Sequence, residues 1–185
     1  MPRHNLSTSA GFTLIELLIV VAIIGIIAAI AIPNLLRARV SANETQAIGD
    51  TRTVMSANVA YAASNCGYFP ANLLCMTHEG GGAICIPGYP AQAPQFLAAD
   101  LGRLGPYNKA GYSRDYPVSN VLASGADPAI CDAGSLLDYC YVAWPAQLGS
   151  SGVRSFLGAP AGAIFQDGTG AVIACPAPAG TTLLQ

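Results

Sequence analysis

Charge is what this sequence has least of. Only 10% of its 185 residues are Asp, Glu, Lys or Arg, against roughly 25% in ordinary soluble domains. The formal net charge is −2 and no block of Lys or Arg occurs. That excludes the basic surface by which proteins neutralise nucleic-acid phosphates, so no nucleic acid is expected as a partner. Histidine is nearly missing: His4 lies close to the start and His78 in a glycine-rich loop. His78 beside Glu79 is a pair of adjacent loop residues, not a positioned acid and base, and no catalytic residue is assigned. The chain is read as a protein that is not an enzyme. No Cys-x-x-Cys occurs, and the cysteine intervals do not fit a structural zinc site. Asp127, Asp132 and Asp138 lack the spacing of a calcium loop, and Glu79–Ala83 ("EGGGA") lacks the lysine and helix of a phosphate-binding loop. No metal and no cofactor are therefore expected. The tyrosines, from Tyr61 to Tyr141, are read as sheet core and surface contacts, not as an electron path.

What the sequence does have is apolar length. Leu17 to Ile32 is uninterrupted, at the lower edge of what crosses a bilayer as a helix, and adding Phe12 to Ile15 brings it to about twenty residues. Glu16 then stands inside the run, where an unpaired carboxylate is expensive. Pro33 follows, at which a helix loses a hydrogen bond and bends. Beyond it, Leu36, Val40, Ala47, Ile48, Thr51, Val54, Met55, Val59 and Ala62 recur at three- and four-residue steps. Arg37, Arg39, Asn43, Gln46, Asp50 and Arg52 mostly take the other faces, which predicts an amphipathic helix ending near Asn65–Gly67. The first half of such a helix wants lipid or a bundle of copies, and the second wants a small domain lying against it.

After residue 66 the chain turns rich in Gly and Pro, and strand signals follow at Gly111–Asn120, Leu137–Pro145, Val153–Gly158 and Ala161–Gln166, with a turn at "QDGTG". The prediction is an α+β fold: a long N-terminal helix packed on a small antiparallel sheet. Six cysteines, all beyond residue 65, form an even set. Behind a membrane segment they read as disulfides in an oxidising compartment. Sequence alone does not select among their pairings. Short loops that close readily favour Cys66–Cys75 and Cys131–Cys140, leaving Cys85–Cys175 as a long closure. The main competitor joins Cys75 to Cys85.

The stretch "GFTLIELLIVVAIIGIIAAIAIP" (Gly11–Pro33) resembles the N-terminus of type IV prepilins and of the pseudopilins of type II secretion systems. The close match runs from Gly11 to about Arg39. The resemblance implies cleavage after Gly11 by a membrane prepilin peptidase, N-methylation of Phe12, and assembly into a helical filament of identical copies by inner-membrane machinery. It also implies that the helix loosens between Gly25 and Pro33 on packing. Cleavage would create a cationic amine on Phe12, which Glu16 of a neighbouring copy can meet in a bundle of staggered helices. Gly and Pro are also tolerated in membrane helices with no special role. The expected organisation is a leader (1–11), a membrane and filament-core half-helix (12–33), an amphipathic half-helix (34–65) and a head (66–185).

Before assembly the chain would sit in membrane lipid as a single pass, its head outside the cytoplasm. Arg37 and Arg39, counted against the lone leader Arg3, point the opposite way on the positive-inside rule, but the cysteines and the motif outweigh them. A pilus subunit is the leading expectation, and a secretion pseudopilin the first alternative. A freely secreted disulfide-rich module is a more distant one, since Ala29-x-Ala31 is an acceptable signal-peptidase site.

Overall fold

The computed structural model describes residues 11–78, 85–90, 92–117, 127–132, 134–178 and 181–184. The leader through Ala10, the Glu79–Ala83 loop and the end of the predicted Gly111–Asn120 strand lie outside them. Helix α1 runs unbroken from Leu14 to Ser64, 51 residues, with Pro33 inside it. It closes where expected: Cys66 and Gly67 turn left-handed (φ 58° and 87°), and the Gly67 N–H donates to Ala62 O at 2.8 Å. That is the six-to-one bond of a Schellman close, which satisfies a carbonyl the helix leaves free. The chain divides into two compact units at Ala38–Arg39.

In the second unit α1 buries Glu44, Ala47, Asp50, Thr51, Val54, Met55, Ala57, Asn58, Tyr61 and Ala62. The predicted stripe is right at its centre and wrong at its edges. Leu36 and Val59 are exposed (53% and 61%), while Asp50, placed by spacing on the polar side, is 9% exposed. Hydrophobicity misassigned Asp50 because its burial depends on a cation from the sheet.

The sheet is an antiparallel meander of β1 (Tyr107–Lys109), β2 (Tyr112–Asp115), β3 (Tyr141–Pro145), β4 (Ser155–Gly158), β5 (Ile164–Asp167) and β6 (Thr182–Leu183), paired in chain order. β2 to β5 fall within the predicted segments or at their ends. β1 and β6 are too short to show an alternating pattern. The β1–β2 hairpin turns through Ala110 and Gly111, both at positive φ (49° and 73°), the backbone that matches strand twist in a two-residue loop. β3 alternates: Tyr141 and Ala143 pack with Phe156, Val54 and Tyr61 on the helix side. Val142 packs on the other side with Leu157, Cys140 and Ile173. Both faces of the sheet are therefore covered, the second by the chain running toward Cys175.

The disulfides are Cys66–Cys131, Cys75–Cys85 and Cys140–Cys175. They replace the expected Cys66–Cys75, Cys131–Cys140 and Cys85–Cys175 and realise the competitor, Cys75–Cys85. Doubling a loop changes its closure cost by only about 0.6 kcal/mol, so the fold's placement of the sulfurs outweighs spacing. Cys66 ends the helix beside Asn65, whose side chain accepts from the Asp132 N–H (2.8 Å) and donates to Ser135 Oγ (2.7 Å). That grip brings Cys131 to Cys66 and away from Cys140, which leads into β3.

Polar contacts fix where the sheet sits along the second half of the helix. Arg114 is fully buried and donates Nη2 to Asp50 Oδ2 at 2.6 Å, with Nη1 on the Tyr112 and Lys109 carbonyls. The chain's one lysine, Lys109, bridges Asp50 (3.1 Å) and Asp100 (2.8 Å). Burial opposes its charge, but the hydrogen bonds it donates to both carboxylates prevail and hold the ammonium above its ordinary pKa. One turn and a half earlier, Glu44 accepts from the Val153 and Arg154 N–H groups and from the Arg154 guanidinium (2.7 and 3.0 Å). Desolvation pushes the Glu44 pKa upward, and these bonds together bring it below the usual value.

Two outcomes follow. Non-reducing peptide mapping should recover Cys66–Cys131, Cys75–Cys85 and Cys140–Cys175, and a Cys131–Cys140 peptide would overturn this fold of the head. Asp50→Ala strands Arg114 in a dry site and should destabilise the head by about 3–5 kcal/mol, read by thermal unfolding of the detergent-solubilised chain. A loss under about 1 kcal/mol, the scale of an exposed pair, would show that Asp50 does not hold Arg114.

Candidate functional site

The residues singled out by the sequence lie in the first compact unit. From Gly11 to Arg39 no residue is buried. Phe12 is 82% exposed and Leu36 53%, and the large apolar side chains between them are all close to half exposed or more. A continuous apolar surface of this extent is far beyond what a monomer in water leaves bare. At 1.5 Å per residue, Phe12 to Leu36 covers about 36 Å, enough for a bilayer core of about 30 Å. The helix is long and apolar enough to cross a membrane.

The start of α1 is built by a motif the sequence reading missed. The Glu16 carboxylate accepts from the Thr13 N–H at 2.8 Å and from Thr13 Oγ at 2.7 Å, while the Glu16 N–H donates to Thr13 Oγ at 3.2 Å. This is a capping box, signalled by Thr-x-x-Glu ahead of an apolar run. Two donors reach one oxygen, Oε2, and the other is directed to no hydrogen-bond donor among the described residues. The structure therefore brings Glu16 to Thr13 of its own chain.

Among the described residues Gly11 and Gly25 are free of neighbours: a Cβ at either would meet no heavy atom within 4 Å. Neither turn geometry nor packing inside this chain requires glycine there. At Gly25, mid-helix, the choice costs roughly 1 kcal/mol relative to Ala. Pro33 removes one helix hydrogen bond without ending α1.

The remaining candidates are structural. His78 Nε2 lies 2.9 Å from Ala93 O. Cys75, Cys85 and Asp132 bring ligand atoms within 4.8 Å of one another, but the two sulfurs are bonded to each other. Asp127 caps its own turn through Ala129, and Asp132 caps Gly134 and holds Tyr61.

Comparison with known proteins finds the same segment. Residues 6–32 match the prokaryotic N-terminal methylation motif. The chain is 74% identical over 35 residues to the type IV wide pilus major component PilA4 of Thermus thermophilus, covering 19% of this chain and 27% of that protein. It is 47% identical over 51 residues to the type IV major pilin protein PilA of Myxococcus xanthus, covering 28% and 23%. With the type II secretion system core protein G of Escherichia coli it shares 31% over 107 residues, covering 58% of this chain and 63% of that one. The chain thus spans about a quarter of the length of the two pilins and under two thirds of the secretion protein. No solved structure matches it.

Proposed function

We propose that the chain, whose N-terminal segment is similar to those of type IV pilins and pseudopilins, is a structural subunit of a type IV pilus-like filament. It enters the inner membrane with its head outside the cytoplasm, is cleaved after Gly11 by the prepilin peptidase, N-methylated at Phe12, and polymerised by the membrane assembly machinery. The observation that carries this reading is the bare apolar half-helix beginning at the methylation motif. Nothing in the chain covers it among the described residues, so its partners are lipid first and copies of itself afterwards.

Cleavage after Gly11 creates an amine on Phe12, cationic near neutral pH. Glu16 of an adjacent copy is the carboxylate that can receive it, and a buried charge pair is best suited to setting register. Gly25 leaves space for a neighbour's side chain. Together with Pro33 it marks where the helix can loosen once neighbours replace lipid. The open backbone at Gly11 suits an approaching peptidase.

A pseudopilin of a type II secretion system is the second reading. It is favoured by one observation: the likeness to the secretion protein runs over 107 residues, whereas the likeness to the two pilins stops after 35 and 51.

Intact-mass analysis of the exported protein tests the shared core of both readings. The expected mass begins at methylated Phe12, and a start at Ile32, the product of signal peptidase, would sink them. Gly11→Val should leave the chain uncut in the membrane; normal processing would count against the peptidase assignment. Substitutions around Glu16 separate its two roles. Glu16→Gln can keep the cap but not the charge, and Thr13→Val removes the cap's hydroxyl and keeps the charge. Sheared-filament yields should fall sharply for Glu16→Gln and Glu16→Ala, both still processed, and stay near wild type for Thr13→Val. Abundant filaments from Glu16→Gln would reduce the carboxylate to a helix cap.

A further inference from the structure

We propose that Arg52 and the two grooves beside it are the receptor for the Asp127–Ile130 turn of another copy of this chain. This rests on the filament reading and concerns a contact between heads, which that reading does not specify. Arg52 is exposed on α1 and meets no carboxylate within ion-pair distance among the described residues. Grooves of about 350 and 410 Å³ lie on its two sides. One is floored by Met55, Ile164, Leu183 and Leu184, and the other by Phe96, Ala57 and Ala60. A cation between two apolar hollows fits a short rigid segment that carries a carboxylate next to an aliphatic side chain.

The chain presents such a segment. Residues 127–130 are all exposed, Ile130 at 63%. The turn is stiff: the Ala129 N–H binds Asp127 Oδ1 at 3.0 Å, and the Ile130 and Cys131 N–H groups bind Asp127 O at 3.1 and 2.8 Å. Pro128 restricts it further, and Cys131 is bonded to Cys66. Asp127 Oδ2 accepts no hydrogen bond among the described residues. Two other acids of the head are less suited, because the part-exposed Asp167 engages both oxygens with Thr169 and the exposed Asp100 is held by Lys109.

Receptor and turn are different surfaces of one chain, so the contact is heterologous, and heterologous contacts that do not close build open filaments. The turn is tied to Cys66, fourteen residues and about 21 Å along α1 from Arg52. Phe12 and Glu16 are four residues apart, about 6 Å. For parallel copies the two contacts demand different offsets, so they join each subunit to two different neighbours.

The test uses the full-length chain in its own membrane with charge reversals and a photoreactive benzoylphenylalanine in place of Thr53, which lines the groove beside Phe96. Arg52→Glu and Asp127→Arg should each cut filament yield by about tenfold, since like charges face each other in either variant. The double reversal should restore most of it, with cleavage at Gly11 unchanged throughout. Irradiation should give a dimer whose crosslinked peptide contains residues 127–130. A double reversal no better than the singles, or a crosslink mapping to Leu137–Asp138 or any other segment, would overturn the contact. Filaments with a crosslink elsewhere refute this contact and leave the filament reading standing; a crosslink at 127–130 without filaments does the reverse.

Discussion

Everything in the head is arranged around a carboxylate that faces inward from a helix. Asp50 and the fully buried Arg114 exclude water from a charge pair, and such a pair is stable only if the partners are held in good geometry. The geometry comes from close approach. Ala47, Thr51, Ala57 and Ala62 give α1 a shallow buried face, and Gly158 lets β4 settle against it: a Cβ there would stand 2.8 Å from Met55 Sδ and Thr51 Cγ2. Small side chains bring backbones together but contribute little apolar area to resist sliding. Directional contacts supply the resistance: Asn43 and Glu44 on the 151–154 loop, Asp50 on β2, Asn58 on the Tyr116 hydroxyl, and Asn65 on the 132–135 loop. Their spacing along the helix, about 33 Å from Asn43 to Asn65, makes a one-turn slip break all of them at once.

The disulfides complete what that seam begins. Cys66–Cys131 ties the end of the helix to the loop before β3, and Cys140–Cys175 fastens a strap over the sheet face that α1 does not reach. Cys75–Cys85 closes its own neighbourhood beside the 3₁₀ turn Leu73–Met76. A head whose apolar interior is split by the sheet into a larger helix-side cluster and a small outer one gains from restricting its unfolded chain, and longer closures restrict more. Stiffness is also what a subunit needs if its surfaces are to meet copies of themselves at fixed offsets.

The sequence made the apolar half-helix legible because its signal is long and local: Gly11 to Pro33 can be read without knowing what surrounds it. The amphipathic half was legible only where hydrophobicity and burial agree. Asp50 and Glu44 are buried because Arg114 and Arg154 come to them across 64 and 110 residues of sequence, and no periodicity registers a partner that distant. The cysteine pairing failed for the same reason, since the bond of Cys66 is decided by Asn65 gripping the 132–135 loop. The cap at Thr13 was different. Its signal is local and present in Thr-x-x-Glu, but a carboxylate in an apolar run draws attention to its charge rather than to its capping.

That double identity of Glu16 resolves how a carboxylate can wait in an apolar segment. A bare charge in lipid would be forced to neutralise or to drag the helix toward the interface. Thr13 gives it two donors on one oxygen within the same turn, and the helix start adds its own positive end. On the proposed assembly, both supports are intramolecular and travel with the subunit, so the charge is already solvated by protein before any neighbour arrives. In that assembly an incoming Phe12 amine would not need to displace them, because the second oxygen would remain to receive it. The cap therefore does not compete with the proposed intersubunit pair. It leaves one carboxylate oxygen open to a neighbour, and the attraction a neighbour would add depends on the charge of Glu16, not on the Thr13 hydroxyl.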